Sequence, residues 1–125
     1  MSDAEQQEEE LEVLKSIYEG DENFKEISAT CFQYKYGEEE DKSFIVEISW
    51  PPTYPSTLPI VNLEVFYNKM LPDAFKQTLK DKILEQVEMI GEGAMTFSVF
   101  EWLREEAEQL ISTLPELILQ SAKVI

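Results

Sequence analysis

The chain has 125 residues, of which 43% are hydrophobic, so it is long enough for one domain with a packed core. Its 26 acidic and 10 basic residues give a formal net charge of −16, which disfavours binding to nucleic acids and anionic membranes, because both need a basic surface. Histidine is absent and Cys31 is the single cysteine, so Ser–His and Cys–His catalytic pairs and an internal disulfide are excluded. The lone thiol predicts a reducing location, the cytoplasm and also the nucleus, and the acidic N-terminus does not look like a secretory signal.

An amphipathic helix is predicted over residues 3–19. Ser2 and Glu5 have the spacing of a capping box, and Gly20 ends the pattern. The apolar positions recur at helical intervals and are Leu11, Leu14, Ile17 and Tyr18. The opposite face carries four acids, which are Glu8, Glu9, Glu10 and Glu12. We interpret this acidic face as a solvated helix surface, with a dedicated contact surface as the alternative.

Four β-strands are predicted next, over about 24–28, 31–36, 43–50 and a last segment containing Val61, Leu63 and Val65. In the second and third strands, aromatic and β-branched residues alternate with polar ones, so one face of the sheet is expected to be core and the other partly wet. The connections are short, which predicts an antiparallel meander. Residues 37–42 are highly charged and are predicted to form an exposed hairpin loop.

A proline-rich segment separates the third and fourth strands. Between Trp50 and Ile60 lie four of the six prolines, which are Pro51, Pro52, Pro55 and Pro59. Each proline fixes its φ angle and pushes the preceding residue out of the helical region, so the segment is predicted to be a stiff, turning connection.

Two helices are predicted after the sheet. The first begins near Pro72 and ends at Gly91, with an apolar stripe at Phe75, Leu79, Ile83, Val87 and Ile90. The second is expected to start near Ser98, which has capping-box spacing to Glu101, with Thr96 as an alternative cap. Its apolar positions are Phe100, Leu103, Ala107, Leu110 and Leu114.

Pro115 is expected to break this last helix, so residues 1–114 are assigned to one domain and 115–125 to a C-terminal extension. For the extension, a last packed turn and the start of a longer region are equal alternatives. The order of elements predicts an α+β fold, in which three helices pack on one face of a four-stranded antiparallel meander in the order α-β-β-β-β-α-α.

Three segments of the chain resemble the RWD domain family. Residues 9–18 resemble its first helix, Tyr54-Pro55-Ser56-Thr57-Leu58-Pro59 fits its YPxxxP signature, and residues 95–103 resemble the opening of its last helix. The resemblance spans roughly residues 5–110 and implies the fold of ubiquitin-conjugating enzymes, in most cases without their chemistry. It also implies that the motif forms consecutive turns, in which Tyr54, Pro55 and Pro59 have a structural role and Tyr54 anchors the loop.

The resemblance implies a non-catalytic protein–protein interaction module, an adaptor or regulator in stress-translation, GTPase or ubiquitin/SUMO-linked pathways. The alternative is an inactive variant of a ubiquitin-conjugating enzyme that binds ubiquitin-like proteins or their ligases directly. Active conjugating enzymes carry a His-Pro-Asn element and a nucleophilic cysteine after the fourth strand, whereas residues 65–72 contain neither. Cys31 falls in an earlier strand and is interpreted as a structural cysteine. No catalytic residue, metal or cofactor is predicted.

The first candidates for partner contact are the four acids of the hairpin loop, Glu38, Glu39, Glu40 and Asp41. The alternative is that these acids only keep an exposed loop soluble. If they bind a partner, it is expected to be a basic protein whose association weakens with salt. The large net charge favours a monomer.

Overall fold

The computed structural model of the protein describes residues 2–37, 43–69, 71–90 and 95–112. The elements in chain order are α1 (Asp3–Ile17), β1 (Phe24–Ser28), β2 (Cys31–Tyr36), β3 (Phe44–Ser49), β4 (Ile60–Asn62), a 3₁₀ helix (Phe66–Asn68), α2 (Asp73–Ile90) and α3 (Met95–Ser112). The strands form one antiparallel sheet in the order β1-β2-β3-β4. The predicted α+β fold and its order of elements are therefore confirmed.

The core lies between one face of the sheet and all three helices. β2 and β3 pair from Cys31–Ser49 to Tyr36–Phe44. Their inward residues are buried as the alternation predicts, and these are Phe32, Tyr34, Tyr36, Phe44, Val46 and Ile48. Ring contacts join this face to α2 through Phe44–Phe75 at 5.6 Å and to α3 through Tyr34–Phe100 at 5.7 Å. At the end of α1, Tyr18 contacts Tyr34 at 5.4 Å.

Helix α1 begins as predicted and differs from the prediction at two of its side chains. The Glu5 N–H donates to Ser2 Oγ at 3.2 Å, which confirms Ser2 as the cap. Ile17, expected in the apolar stripe, is 45% exposed. Glu10, expected on the solvated face, is buried. The reason is its spacing: Glu10 lies one turn before the buried Leu14 and therefore on the side of the helix that faces the core.

Strand β4 ends earlier than predicted because the side chain of Asn68 replaces its continuation. The amide of Asn68 accepts a hydrogen bond from the Ile45 N–H at 2.9 Å and donates to the Ile45 carbonyl at 2.7 Å. It also donates to the Leu63 carbonyl at 3.0 Å. The buried Asn68 side chain thus makes the hydrogen bonds to the backbone of Ile45 that a longer β4 would have made. The prediction of Leu63 and Val65 as strand residues is therefore wrong.

Helix α2 has the predicted apolar stripe, with Phe75, Leu79, Ile83 and Val87 buried. Helix α3 contradicts the predicted start, because it already runs from Met95, and both Ser98 and Thr96 lie inside it. Glu101 instead accepts a hydrogen bond from the Tyr18 hydroxyl at 3.0 Å. Leu114, Pro115 and the boundary between residues 1–114 and 115–125 lie outside the described residues, so that domain division stays a prediction.

Candidate functional site

The proline loop is organised around Tyr54, whose side chain is completely buried. Its ring stacks on Trp50 with 5.2 Å between centroids and 7° between planes. The backbone makes successive turns, in which the Tyr54 N–H donates to the Pro51 carbonyl at 2.9 Å and the Thr57 N–H donates to the Thr53 carbonyl at 2.9 Å. The Tyr54–Pro55 peptide bond is cis, and Pro59 is buried at the end of the loop.

The Tyr54 hydroxyl joins the loop to two helices. It donates to Glu10 Oε1 of α1 at 2.8 Å and accepts from the Met95 N–H of α3 at 3.1 Å. The other Glu10 oxygen accepts from the Thr96 N–H at 3.1 Å. The first N–H groups of a helix have no partner within the helix, so two of those in α3 are satisfied by side chains from elsewhere in the chain. The Glu10 carboxylate also lies at the positive end of the α3 dipole.

Neighbouring side chains add further links at the same place. The Thr96 hydroxyl accepts a hydrogen bond from Trp50 Nε1 at 2.8 Å. Gln7 of α1 donates from Nε2 to the carbonyls of Pro51 and Tyr54, at 3.0 and 2.8 Å. Because Gln7 and Glu10 are three residues apart on one side of α1, the helix is fastened to the loop at two successive positions. We call Glu10, Trp50, Tyr54 and Thr96 the buried anchor.

The electrostatics of the buried anchor favour hydrogen bonding over reaction chemistry. Burial raises the pKa of Glu10, and the hydrogen bonds from Tyr54 and Thr96 oppose that shift. Burial and the adjacent Glu10 carboxylate raise the pKa of Tyr54, so its hydroxyl remains a neutral donor. Both side chains are shielded from solvent, which leaves no access for a substrate. The arrangement joins α1, the proline loop and the start of α3.

From the sequence we predicted a structural role for Tyr54, Pro55 and Pro59 of the proline loop. We did not predict that Glu10 is the buried partner of Tyr54. The available signal was its spacing, since Glu10, Leu14 and Tyr18 follow one another at intervals of four residues. The run of acids around Glu10 concealed this signal, because a glutamate in such a run is usually solvated.

Cys31 lies in β2 on the sheet face that points away from the core and is half-buried. The Ser49 hydroxyl on β3 donates to its Sγ at 3.4 Å. Burial raises the pKa of the thiol, and the charge of nearby Glu47 acts in the same direction. A nucleophilic cysteine needs a lowered pKa, so this environment disfavours the thiolate.

The predicted contact residues of the hairpin loop, Glu38, Glu39, Glu40 and Asp41, lie outside the described residues. Among the described residues, a shallow acidic depression runs along α1 and is lined by Glu5, Glu8, Glu9, Leu11, Glu12 and Lys15. A second depression lies between β4 and α2, where Lys76 is bound by Glu64 at 3.0 Å and Asp73 at 3.5 Å. The charge of this lysine is thus already compensated within the chain.

Within the described ranges, no group of side chains has the composition of a metal site, and no helix is long and apolar enough to cross a membrane. The family model of the RWD domain matches residues 5–107. RWD domains are a protein-interaction module fold, generally non-catalytic and related to that of ubiquitin-conjugating enzymes. Since the match covers most of the chain, including all three segments joined by the buried anchor, the chain belongs to the RWD domain family.

Proposed function

We propose that this chain is a non-catalytic protein-interaction module that acts as an adaptor or regulator, in stress-translation, GTPase or ubiquitin/SUMO-linked pathways. The observation that carries the proposal is the environment of Cys31. The only thiol of the chain lies half-buried in a strand, and burial raises its pKa although the hydrogen bond from the Ser49 hydroxyl acts in the opposite direction. A conjugating enzyme needs a reactive thiolate to accept the ubiquitin-like protein as a thioester, and the burial of Cys31 disfavours a thiolate.

The segment after β4 supports the same proposal. In place of a nucleophile, residues 66–68 form a 3₁₀ helix whose Asn68 binds the backbone of Ile45 and Leu63. Asn68 is buried, so its side chain has a structural task. In the buried anchor, the Tyr54 hydroxyl donates a hydrogen bond to the Glu10 carboxylate. These two side chains likewise have a structural task, because they join the proline loop to the helices.

The partner we propose is a basic protein, and the evidence for it is charge. The net charge is −16, and the depression along α1 is lined mainly by glutamates. Acidic surfaces of this kind attract basic proteins and repel nucleic acids and anionic membranes. The same charge opposes self-association, so we propose a monomer. The single cysteine favours a reducing location, so we propose that the chain works in the cytoplasm and nucleus.

We expect the immobilised chain to capture a specific protein from a cytosolic extract at low salt and to release it as salt increases, because ions screen exposed charges. Neutralising the hairpin loop tests its part in this binding, through the combined changes Glu38→Gln, Glu39→Gln, Glu40→Gln and Asp41→Asn. We expect this variant to capture less of the partner.

The matched control removes the same charge from exposed positions on α2 and α3, through Asp81→Asn, Glu85→Gln, Glu88→Gln and Glu108→Gln. The control should capture as much partner as the unchanged chain. Equal capture by the hairpin variant would exclude the loop as the contact surface. Capture that does not depend on salt would contradict a basic partner.

A further inference from the structure

We infer that α1 carries the docking site for a basic amphipathic helix of the partner protein. This inference deepens the proposed function and rests on it. The site is one row of side chains at intervals of four residues, Glu5, Glu9, Val13 and Ile17, which we call the α1 ridge. All four are exposed. Such i, i+4 rows form the ridges that pack into the groove of a second helix.

The apolar half of the α1 ridge exposes two large apolar side chains on one helix. Val13 and Ile17 are each 45% exposed and lie one turn apart. Leu14, between them in sequence, is completely buried, so α1 is firmly packed and presents these two side chains on its outer side. Among the described parts of the three helices, α2 exposes only Met89 as a large apolar side chain, and α3 exposes none.

The acidic half of the α1 ridge gives the charge of the partner. Glu9 stands one turn before Val13 and lies four residues after Glu5 and three before Glu12, and Glu8 has the same two neighbours at three and four residues. Like charges at these intervals destabilise a helix. The nearest base along α1 is Lys15, which is paired with Glu26 of β1 at 3.7 Å. Lysine or arginine side chains of a partner would relieve this repulsion and add attraction.

The α1 ridge therefore fits a partner helix that has apolar and basic side chains on one face. Apolar side chains one turn apart on the partner would contact Val13 and Ile17, and the basic side chains would lie beside the glutamates. A second copy of the chain is a poor occupant in either orientation. Parallel α1 ridges would bring their glutamates together, and antiparallel ridges would place the glutamates of one copy against Val13 and Ile17 of the other. The chain's own residues 113–125 are also a poor match, because Lys123 is their single base.

The probe for the test is a synthetic helical peptide of about 18 residues, with leucines along one face and arginines beside them. Its control has the same composition, with the leucines spread around the helix. Binding to the full chain is measured by fluorescence anisotropy at salt concentrations of about 0.05 and 0.3 M. We expect the amphipathic peptide to bind more tightly than its control and more weakly at high salt. Equal binding of the two peptides would overturn the inference.

Two variants test the two halves of the α1 ridge. The double change Val13→Gln and Ile17→Gln should raise Kd by about tenfold or more, because it removes the apolar contact. Glu9→Gln should raise Kd by about threefold at low salt and by less at high salt. The matched controls on α2, Met89→Gln and Glu88→Gln, should leave Kd within about twofold of the unchanged chain.

The remaining outcomes separate this inference from the proposed function. Loss of binding in the hairpin variant, with normal binding in the α1 variants, would overturn the α1 site and leave a basic partner in place. Failure of the unchanged chain to bind the peptide would overturn the α1 site, while salt-dependent capture from extract would still support the proposed function.

Discussion

Replacing Tyr54 with alanine is expected to lower the free energy of unfolding by about 3–5 kcal/mol. The change removes a completely buried ring that stacks on Trp50. It also removes the hydroxyl that binds Glu10 and the Met95 N–H, so two buried polar groups each lose a partner. Urea unfolding followed by circular dichroism measures this loss, and a change below about 1 kcal/mol would contradict the anchoring role of Tyr54.

One conservative variant separates the contribution of the Tyr54 ring from that of its hydroxyl, and a second variant is its control. Tyr54→Phe keeps the ring and should cost about 1–2 kcal/mol, since only the hydrogen bonds are lost. Tyr34→Phe is the matched control, because it also removes a bond from hydroxyl to carboxylate, which runs to Asp21 at 2.7 Å. Asp21 is only half-buried and can bind water instead, so the control should cost less than about 1 kcal/mol.

The change Glu10→Ala is expected to cost about 2–4 kcal/mol. It leaves the Tyr54 hydroxyl and the Thr96 N–H without their acceptor in a buried place. Relief of the cost of burying a carboxylate offsets part of this loss. Glu9→Ala is the matched control, since Glu9 is exposed on the same helix, and it should change stability by no more than about 0.5 kcal/mol. Equal effects of the two changes would contradict the buried anchor.

The pH dependence of stability gives a second measurement on Glu10. Burial raises the pKa of Glu10 above its ordinary value of 4.5. A carboxyl group with a higher pKa in the folded state contributes stability below its unfolded pKa and loses that contribution as the pH rises through the folded value. We therefore expect the unchanged chain to lose stability relative to Glu10→Gln as the pH rises above 4.5. A difference that is constant with pH would contradict the raised pKa.

The sheet could be predicted from the sequence because its signal is local. Phe32, Tyr34 and Tyr36 alternate with polar residues, and a period of two residues follows from burying one face of a strand. The same holds for the stripe of α2, where burial of one helix side repeats at helical intervals. In these elements the sequence pattern and the packing have the same physical cause.

The buried anchor could not be predicted in the same way because its partners are distant in sequence. Glu10 is 44 residues from Tyr54 and 86 from Thr96. No local pattern shows that a glutamate in an acidic run will meet a tyrosine hydroxyl and the start of a helix. Tertiary hydrogen bonds of this kind also explain why the predicted start of α3 was wrong. The first N–H groups of the helix donate to Tyr54 and Glu10. The local Ser98–Glu101 spacing therefore does not mark the start of the helix.

Strand β4 shows the same limit on a smaller scale. Val61 and Leu63 alternate as a strand would and are both buried, as expected. The strand nevertheless ends at Asn62, because Asn68 reaches back to bind the backbone that a longer strand would have paired. The alternation of apolar and polar residues predicts which side chains enter the core. The point at which the pairing of β3 and β4 ends depends on the Asn68 side chain, which comes from a later segment.

Incubation of the full chain with ATP, ubiquitin and ubiquitin-activating enzyme tests most directly whether this RWD domain is a binding module without conjugating activity. A parallel reaction uses SUMO with its own activating enzyme, and an active conjugating enzyme serves as the positive control in each. We expect no thiol-reducible adduct on the chain, because its one cysteine has a raised pKa and lies in a strand. A reducible adduct that forms on the unchanged chain and disappears in Cys31→Ser would contradict a non-catalytic function.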